Sequence, residues 1–312
     1  MPTDALPADA NSLLLHQYEV SPFSEKVRMV LGAKGLAWHA CNQPVIMPKP
    51  EMVQLTGGYR RIPVLQVGAD LWFDSLYIIE ELDRRFPVPS VFAGSGRGMA
   101  QAFARWSDGD LFMTIVGLLF GDDWSFDADF VKDRSELMGA PFDPAQMAAA
   151  APMLAAQLRR HLAVLERQLA DGRPYLTGTR PDAVDAAVHC QVAFMRWGKG
   201  KAAALLTDFP RLCAWAERVA ALGHGARGAD VEREAAIAIA AAAEPMPIER
   251  VGDGDFAPGD AVRFRFQDAN TPVLVGELVR IDLRGLTLRP TGTALGNLHL
   301  HMPHDVGTLS RA

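Results

Sequence analysis

Cysteine is scarce. Among 312 residues only Cys41, Cys190 and Cys213 occur, too few and too scattered for a disulfide framework or a zinc site, so all three are expected to be reduced, mostly core residues. Long apolar runs are missing too. The lowest-polarity stretch, residues 235–243 (AAIAIAAAA), falls far short of the roughly 18 residues a bilayer span needs and is flanked by glutamates. There is no surplus of basic charge: 31 Lys and Arg stand against 37 Asp and Glu, a formal net charge of -6, which leaves no electrostatic footprint for nucleic acid. The opening MPTDALPADANS lacks the apolar segment of a secretory signal. The expectation is a cytoplasmic, soluble protein with neither nucleic-acid nor membrane partners.

What is present suffices for two or three domains. Residues 13–28, LLLHQYEV followed by SPFSEKVR, read as a short strand running into a helix. Ser21 is a favoured N-cap and Pro22 suits the first helical position, so a hydroxyl is placed at the positive end of a helix, where an anion is stabilised. Val27, Val30 and Leu31 keep helical spacing and Gly35 ends the helix. A second strand follows at 36–41, then a polar loop punctuated by Pro44, Pro48 and Pro50. Val64, Leu65 and Val67 form a strand that reverses through V-G-A-D into Leu71, Trp72 and Phe73, a hairpin. A helix over 75–86 carries Leu76, Ile79, Leu82 and Phe86 on one face. This order predicts a thioredoxin-like α/β domain over 12–87, and the Pro-, Gly- and Ser-rich residues 87–98 read as a linker.

From 99 to 243 the pattern is helical, with stripes such as Leu158, Leu162, Leu165, Leu169 and Val184, Val188, Val192, Met195. Asp182, three residues before Asp185, is an N-cap arrangement. The acidic residues Asp122, Asp123, Asp127 and Asp129 lack the form of a calcium loop and read as a solvated loop. Past Pro245 alternation sets in: Val262, Phe264 and Phe266 alternate with Arg263 and Arg265, and further short strands follow. Residues 247–312 therefore read as a small all-β module, SH3-like or OB-like and barrel-like. It is expected to dock on the helical domain, because so few residues rarely hold together alone. His299 and His301 share one strand face and His304 follows. Since Leu298, Leu300 and Met302 form the apolar face, the histidines are expected in solvent and no metal is expected.

SPFS stands where glutaredoxin-like proteins carry CPFC, and with Ile62–Pro63, Asp74–Ser75 and the Asp182/Asp185 cap at corresponding places the chain resembles the cytosolic glutathione transferases of serine type (theta-, zeta- and omega-like) over roughly residues 12–225. The β module lies outside the resemblance. The resemblance implies glutathione as co-substrate, with Ser21, or alternatively Ser24, donating a hydrogen bond to its sulfur. It further implies that the backbone at Ile62–Pro63 receives the cysteinyl portion, Ser75 and the helix end take the γ-glutamyl carboxylate, and Asp74 takes its ammonium. Arg61, by its proximity to Pro63, is a candidate for the glycyl carboxylate. Phe103, Trp106 and Phe112 are candidates for the pocket of a small electrophile. Two alternatives stay open: a glutathione-dependent isomerase, since SPFSEKVRMVLGAKG is similar to the zeta-like pattern, and a non-catalytic binding or scaffold protein of the same fold. The resemblance also implies a homodimer.

Overall fold

The computed structural model describes residues 8–122, 126–198, 200–268, 270–292, 295 and 297–312. Its first part runs β1 (Leu14–Gln17), α1 (Pro22–Ala33), β2 (Ala37–Asn42), α2 (Pro50–Thr56), β3 (Val64–Val67), β4 (Asp70–Phe73) and α3 (Ser75–Arg85). β1 pairs parallel with β2 and antiparallel with β3, and β4 turns back on β3, giving the thioredoxin-like arrangement. Helix α2 lies within residues that read as loop and strand approach. Pro50 opens it and Gly57, at φ 68, closes it, so the prolines that read as loop punctuation include a helix start.

The helical part comprises α4 (Gly96–Trp106), α5 (Phe112–Phe120), α6 (Ala128–Met138), α7 (Pro144–Gln168), α8 (Ala183–Gly198), α9 (Gly200–Leu205) and α10 (Pro210–Ala220). Helix α4 passes into α5 through a π-helical turn at Ser107–Leu111. The Asp182/Asp185 pair caps α8 reciprocally: Asp182 Oδ1 accepts from Val184 N, and Asp185 Oδ2 accepts from Asp182 N. Asp182 Oδ2 also accepts from Gly94 N and Ser95 N, fixing the linker to the helical bundle. Asp127 caps α6 through Phe130 N, and Asp122 Oδ2 accepts from Lys201 N; Asp123 lies outside the described residues.

After β5 (Ala226–Arg227), which pairs with β2, α11 (Arg233–Ala242) returns to the first part. Ala236 O there accepts from Gln66 Nε2 at 2.9 Å, and Ala240 joins the core beside α2 and β4. The chain then forms β6 (Ala261–Phe266), β7 (Leu274–Asp282), β8 (Gly285–Pro290), β9 (His299–Met302) and β10 (Gly307–Arg311). The alternation expected for β6 holds: Val262, Phe264 and Phe266 are buried and Arg263 and Arg265 exposed.

These strands do not seat themselves principally on the helices. They continue the first sheet, in the order β10-β6-β7-β8-β9-β4-β3-β1-β2-β5, with β9 parallel to β4. An open β4 edge would leave a row of backbone groups unpaired, and β9 covers it. The docking expected on the helical bundle is thereby corrected. The edge of the thioredoxin-like sheet offers hydrogen bonds along a strand, whereas a helical surface offers none.

One face of the first sheet, with Leu15, Leu65 and Trp72, packs against α1 and α3; the other, with Val64, Leu71 and Phe73, faces α2 and α11. On that second face His16 is wholly buried, with Nε2 2.8 Å from Gln66 Oε1 and Nδ1 3.2 Å from Gln43 Nε2. Burial lowers it to about 4, and the hydrogen bond to Gln66 acts in the opposite direction. A histidine depressed in the folded state stabilises the protein above its unfolded pKa, near 6.5, and that contribution fades as pH falls towards 4. Denaturant unfolding should therefore show stability falling by on the order of 3 kcal/mol from this residue between pH 7 and 4, with His16→Gln flattening the acid limb; an unchanged slope would contradict the assignment.

Candidate functional site

Ser21 is the N-cap of α1, and its Oγ accepts from Ser24 N at 3.1 Å, with Pro22 at the first helical position. The hydroxyl proton of Ser21 is uncommitted among the described hydrogen bonds. The residue is 1% exposed. Ser24 is fully buried, and its Oγ has no hydrogen-bond partner. Ile62–Pro63, whose peptide bond is cis, leads into β3. Asp74 is the N-cap of α3, at φ 71, where its Oδ1 accepts from Leu76 N at 2.9 Å and Tyr77 N at 3.2 Å. A left-handed backbone at a residue other than glycine is uncommon and tolerated best by Asp and Asn. It sets the end of β4 and the start of α3 at a sharp corner.

Lys26 links the two helix starts. One turn into α1 and wholly buried, it donates to Ser75 Oγ at 3.2 Å and to Asp108 Oδ2 at 2.6 Å. Burial acts to lower the ammonium, but Asp108 and Asp74 outweigh it and hold its pKa above the ordinary value. Asp108 belongs to the π-helical turn, a feature that inserts an extra residue and re-aims its side chains. Asp74 itself is pushed up by burial, against Lys26 and the two N–H donors.

In front of these groups lies a cavity of about 220 Å3 lined by residues from every part of the chain, among them Arg61, Asp74, Arg105, Asp108, Asp268 and Asp305. The last two come from the C-terminal strands and their connections. The Arg61 Nε donates to both Asp268 oxygens at 2.7 and 2.9 Å, and Arg61 Nη2 donates to Oδ1 as well. Arg105 Nη2 pairs with Asp305 Oδ2 at 2.7 Å. With Lys26 on Asp108, each cation of this crevice has a carboxylate, and Asp74 is left with backbone donors.

Of the residues singled out in the sequence, Arg61 and Asp74 line this cavity; Ser21, Ser24, Ile62, Pro63 and Ser75 do not. Arg61 is committed to Asp268, 207 positions away in sequence, a pairing that no local spacing signals. Sequence reasoning does not single out Lys26, Asp108, Asp268 or Asp305. Only Lys26 left a trace, as a cation on the side of α1 that the apolar spacing turns inward. The three aromatic candidates are half-buried: Phe112 meets Phe23 at 4.9 Å between ring centres, and Phe103 and Trp106 meet edge to face at 5.8 Å.

Among the described residues no helix is long and apolar enough to cross a membrane. Residues 15–90 match the family described as Glutathione S-transferase, N-terminal domain, and residues 123–227 match a domain of unknown function. Glutathione S-transferase U3 of Arabidopsis thaliana is 29% identical over 101 residues, which are 31% of this chain and 44% of that protein, so the match spans under half of that relative. A GST-like protein from Pseudomonas syringae superposes with 97% of this chain and all of its own, at 29% identity and a TM-score of 0.80. Its coverage extends through the C-terminal strands. Rice GST1, solved in complex with glutathione, is 23% identical and covers 68% of this chain and 88% of its own at a TM-score of 0.50, a likeness of fold.

Replacing the buried Lys26 by Met leaves Asp108 without its partner, and removing one member of a buried ion pair costs about 3–5 kcal/mol. Chemical denaturation of Lys26→Met should show that loss, with Lys26→Met/Asp108→Leu recovering much of it. A single variant as stable as the wild type would remove Lys26 from the account.

Proposed function

We propose, for a chain that belongs to the glutathione S-transferase family, that it binds glutathione where the N-termini of α1 and α3 meet and uses the bound thiolate to attack a small electrophile. The observation carrying this reading is the convergence of two helix starts, capped by Ser21 and Asp74, around the buried Lys26 that bonds Ser75. Helix N-termini stabilise anions, and glutathione presents two of the required kind, its sulfur and its γ-glutamyl carboxylate.

In this reading Ser21, whose oxygen already accepts the Ser24 N–H, donates its own proton to the sulfur and favours the thiolate; Ser24 is the neighbouring hydroxyl. The backbone at Ile62–Pro63 pairs with the cysteinyl portion as an added strand would. Ser75 and the α3 terminus take the γ-glutamyl carboxylate, and Asp74, the acid in the crevice without a side-chain cation on it, takes the ammonium. Arg61 would reach the glycyl carboxylate only after giving up Asp268. The electrophile would sit against Phe103, Trp106 and Phe112. No metal enters this chemistry. Cytoplasmic location, pairing as a homodimer and the division at 12–87, 99–243 and 247–312 belong to the same proposal.

A second reading has its own support. With Ser21 buried and Arg61 held by Asp268, the same crevice suits a non-catalytic binding protein. Calorimetric titration with glutathione followed by turnover of chlorodinitrobenzene separates the two. The transferase reading predicts saturable binding, weakened about tenfold by Asp74→Asn, which removes a charge-assisted contact. It also predicts a fall in kcat/KM of about 100-fold in Ser21→Ala, the scale for losing one donor to a developing anion, with Ser24→Ala much milder. Binding without turnover across several electrophile classes selects the second reading, and absence of binding defeats both. Light scattering at micromolar concentration should give the mass of two chains.

A further inference from the structure

The pair His299 and His301 is not in solvent as the alternation of β9 suggests. The two do share a face opposite Leu300 and Met302, but β9 lies between β8 and β4, and that face is covered. Both histidines are buried, at 4% and 6% exposure. His299 stands in register with Asp70 of β4, and His301 with Trp72, so one carboxylate and two imidazoles from the two ends of the chain meet on one side of the sheet. Trp72 stacks on His301 at 4.4 Å with the rings 5° apart, and the Arg85 guanidinium closes over Trp72 at 4.7 Å.

The hydrogen bonds leave this cluster incomplete. His301 Nε2 lies 2.7 Å from Asp70 Oδ1, and its Nδ1 2.9 Å from Thr287 Oγ1. Asp70 Oδ2 accepts from Met246 N at 2.7 Å. His299, equally buried, has neither ring nitrogen in a hydrogen bond; its Nδ1 stops 3.5 Å from Asp70 Oδ1. A buried polar group without a partner costs free energy, and an uncommitted imidazole beside a carboxylate and a second imidazole makes a donor set for a borderline cation. Ligand atoms of Asp70, His299 and His301 all lie within 4.8 Å of one another. Tetrahedral zinc with bonds near 2.0–2.1 Å needs separations of about 3.3 Å, reached by small rotations of the three side chains.

We propose that Asp70, His299 and His301 bind a divalent transition-metal ion, zinc by preference, that joins the C-terminal strands to the thioredoxin-like sheet. Asp70 supplies Oδ1 while Oδ2 keeps the Met246 N–H. His301 binds through Nε2 as the tautomer whose Nδ1–H donates to the Thr287 hydroxyl oxygen, the outer hydrogen bond that metal-bound histidines commonly have. A crevice lined by Val67, Asp70, Glu244 and Met246 borders the cluster at Asp70. The three cysteines take no part, since none belongs to the cluster.

The full-length, untagged chain, freed of metal with chelator, is titrated with Zn2+ and, separately, Co2+. One ion per chain is expected, with cobalt showing the visible bands of a four-coordinate nitrogen and oxygen site and no near-ultraviolet charge-transfer band from a thiolate. Zinc should raise the thermal midpoint. His299→Ala and Asp70→Asn should weaken binding by about 100-fold, since ligand loss removes most of the affinity, while His304→Ala, at a residue bonded to Asp282 O outside the cluster, should not. If those variants fail to fold, the wild-type stoichiometry and cobalt spectrum decide alone. No stoichiometric binding by the wild type, a thiolate band, or undiminished binding by folded His299→Ala overturns the proposal.

Discussion

The pairing of β9 with β4 is the constraint on which the rest of the structure depends. In a thioredoxin-like sheet β4 would be an edge, and an edge recruits whatever strand can satisfy its backbone. Here the recruit comes from the far end of the same chain, more than 200 positions away. Its register puts Leu300 and Met302 into the core beside Leu71 and Phe73 and so fixes where β6 and β10 lie. The segment that follows β6, with Asp268, and the one between β9 and β10, with Asp305, then line the same cavity as Asp74.

From this follows the charge arrangement of the crevice. Asp268 and Asp305 arrive as carboxylates facing Arg61 and Arg105, cations that the first and second parts of the chain would otherwise hold in solvent. Arg105 and Asp305 are both exposed, and such a pair contributes little to stability, whereas Asp268 is buried beneath a half-exposed Arg61; the effect of both pairs is on which ligand groups the site accepts. An incoming carboxylate must compete with Asp268 for Arg61, whereas an ammonium meets Asp74 without displacing a side chain. The added strands therefore act on the crevice at Asp74 without supplying any of its helix termini. Behind it, Lys26 and Asp108 hold α1, α3 and the π-helical turn together.

Much of this was legible in the sequence wherever the determining physics is local. Ser21 and Pro22 mark the start of α1, Asp182 and Asp185 the start of α8, and the alternation of Val262, Phe264 and Phe266 the strand β6, because caps and periodicity depend on neighbours in sequence. Helix α2 has no clear sequence signal because three prolines within seven positions favour a loop reading, although one of them opens a helix. The histidines were assigned to the correct face but the wrong environment: alternation tells which residues share a side, and only the partner strand tells whether that side is wet. Asp268 on Arg61, and β9 on β4, are contacts between distant segments with no local signature. The family resemblance could not supply them either, since it ends before the C-terminal strands.

In the proposed binding mode glutathione lodges between the helix starts at Ser21 and Asp74, beneath the C-terminal strands. Hydrogen–deuterium exchange with and without glutathione reads this directly. Exchange should slow only at the backbone amides around residues 21–26, 62–64 and 74–77, together with the segment at 266–268 that holds Arg61. Protection elsewhere, or none at saturating glutathione, would contradict it.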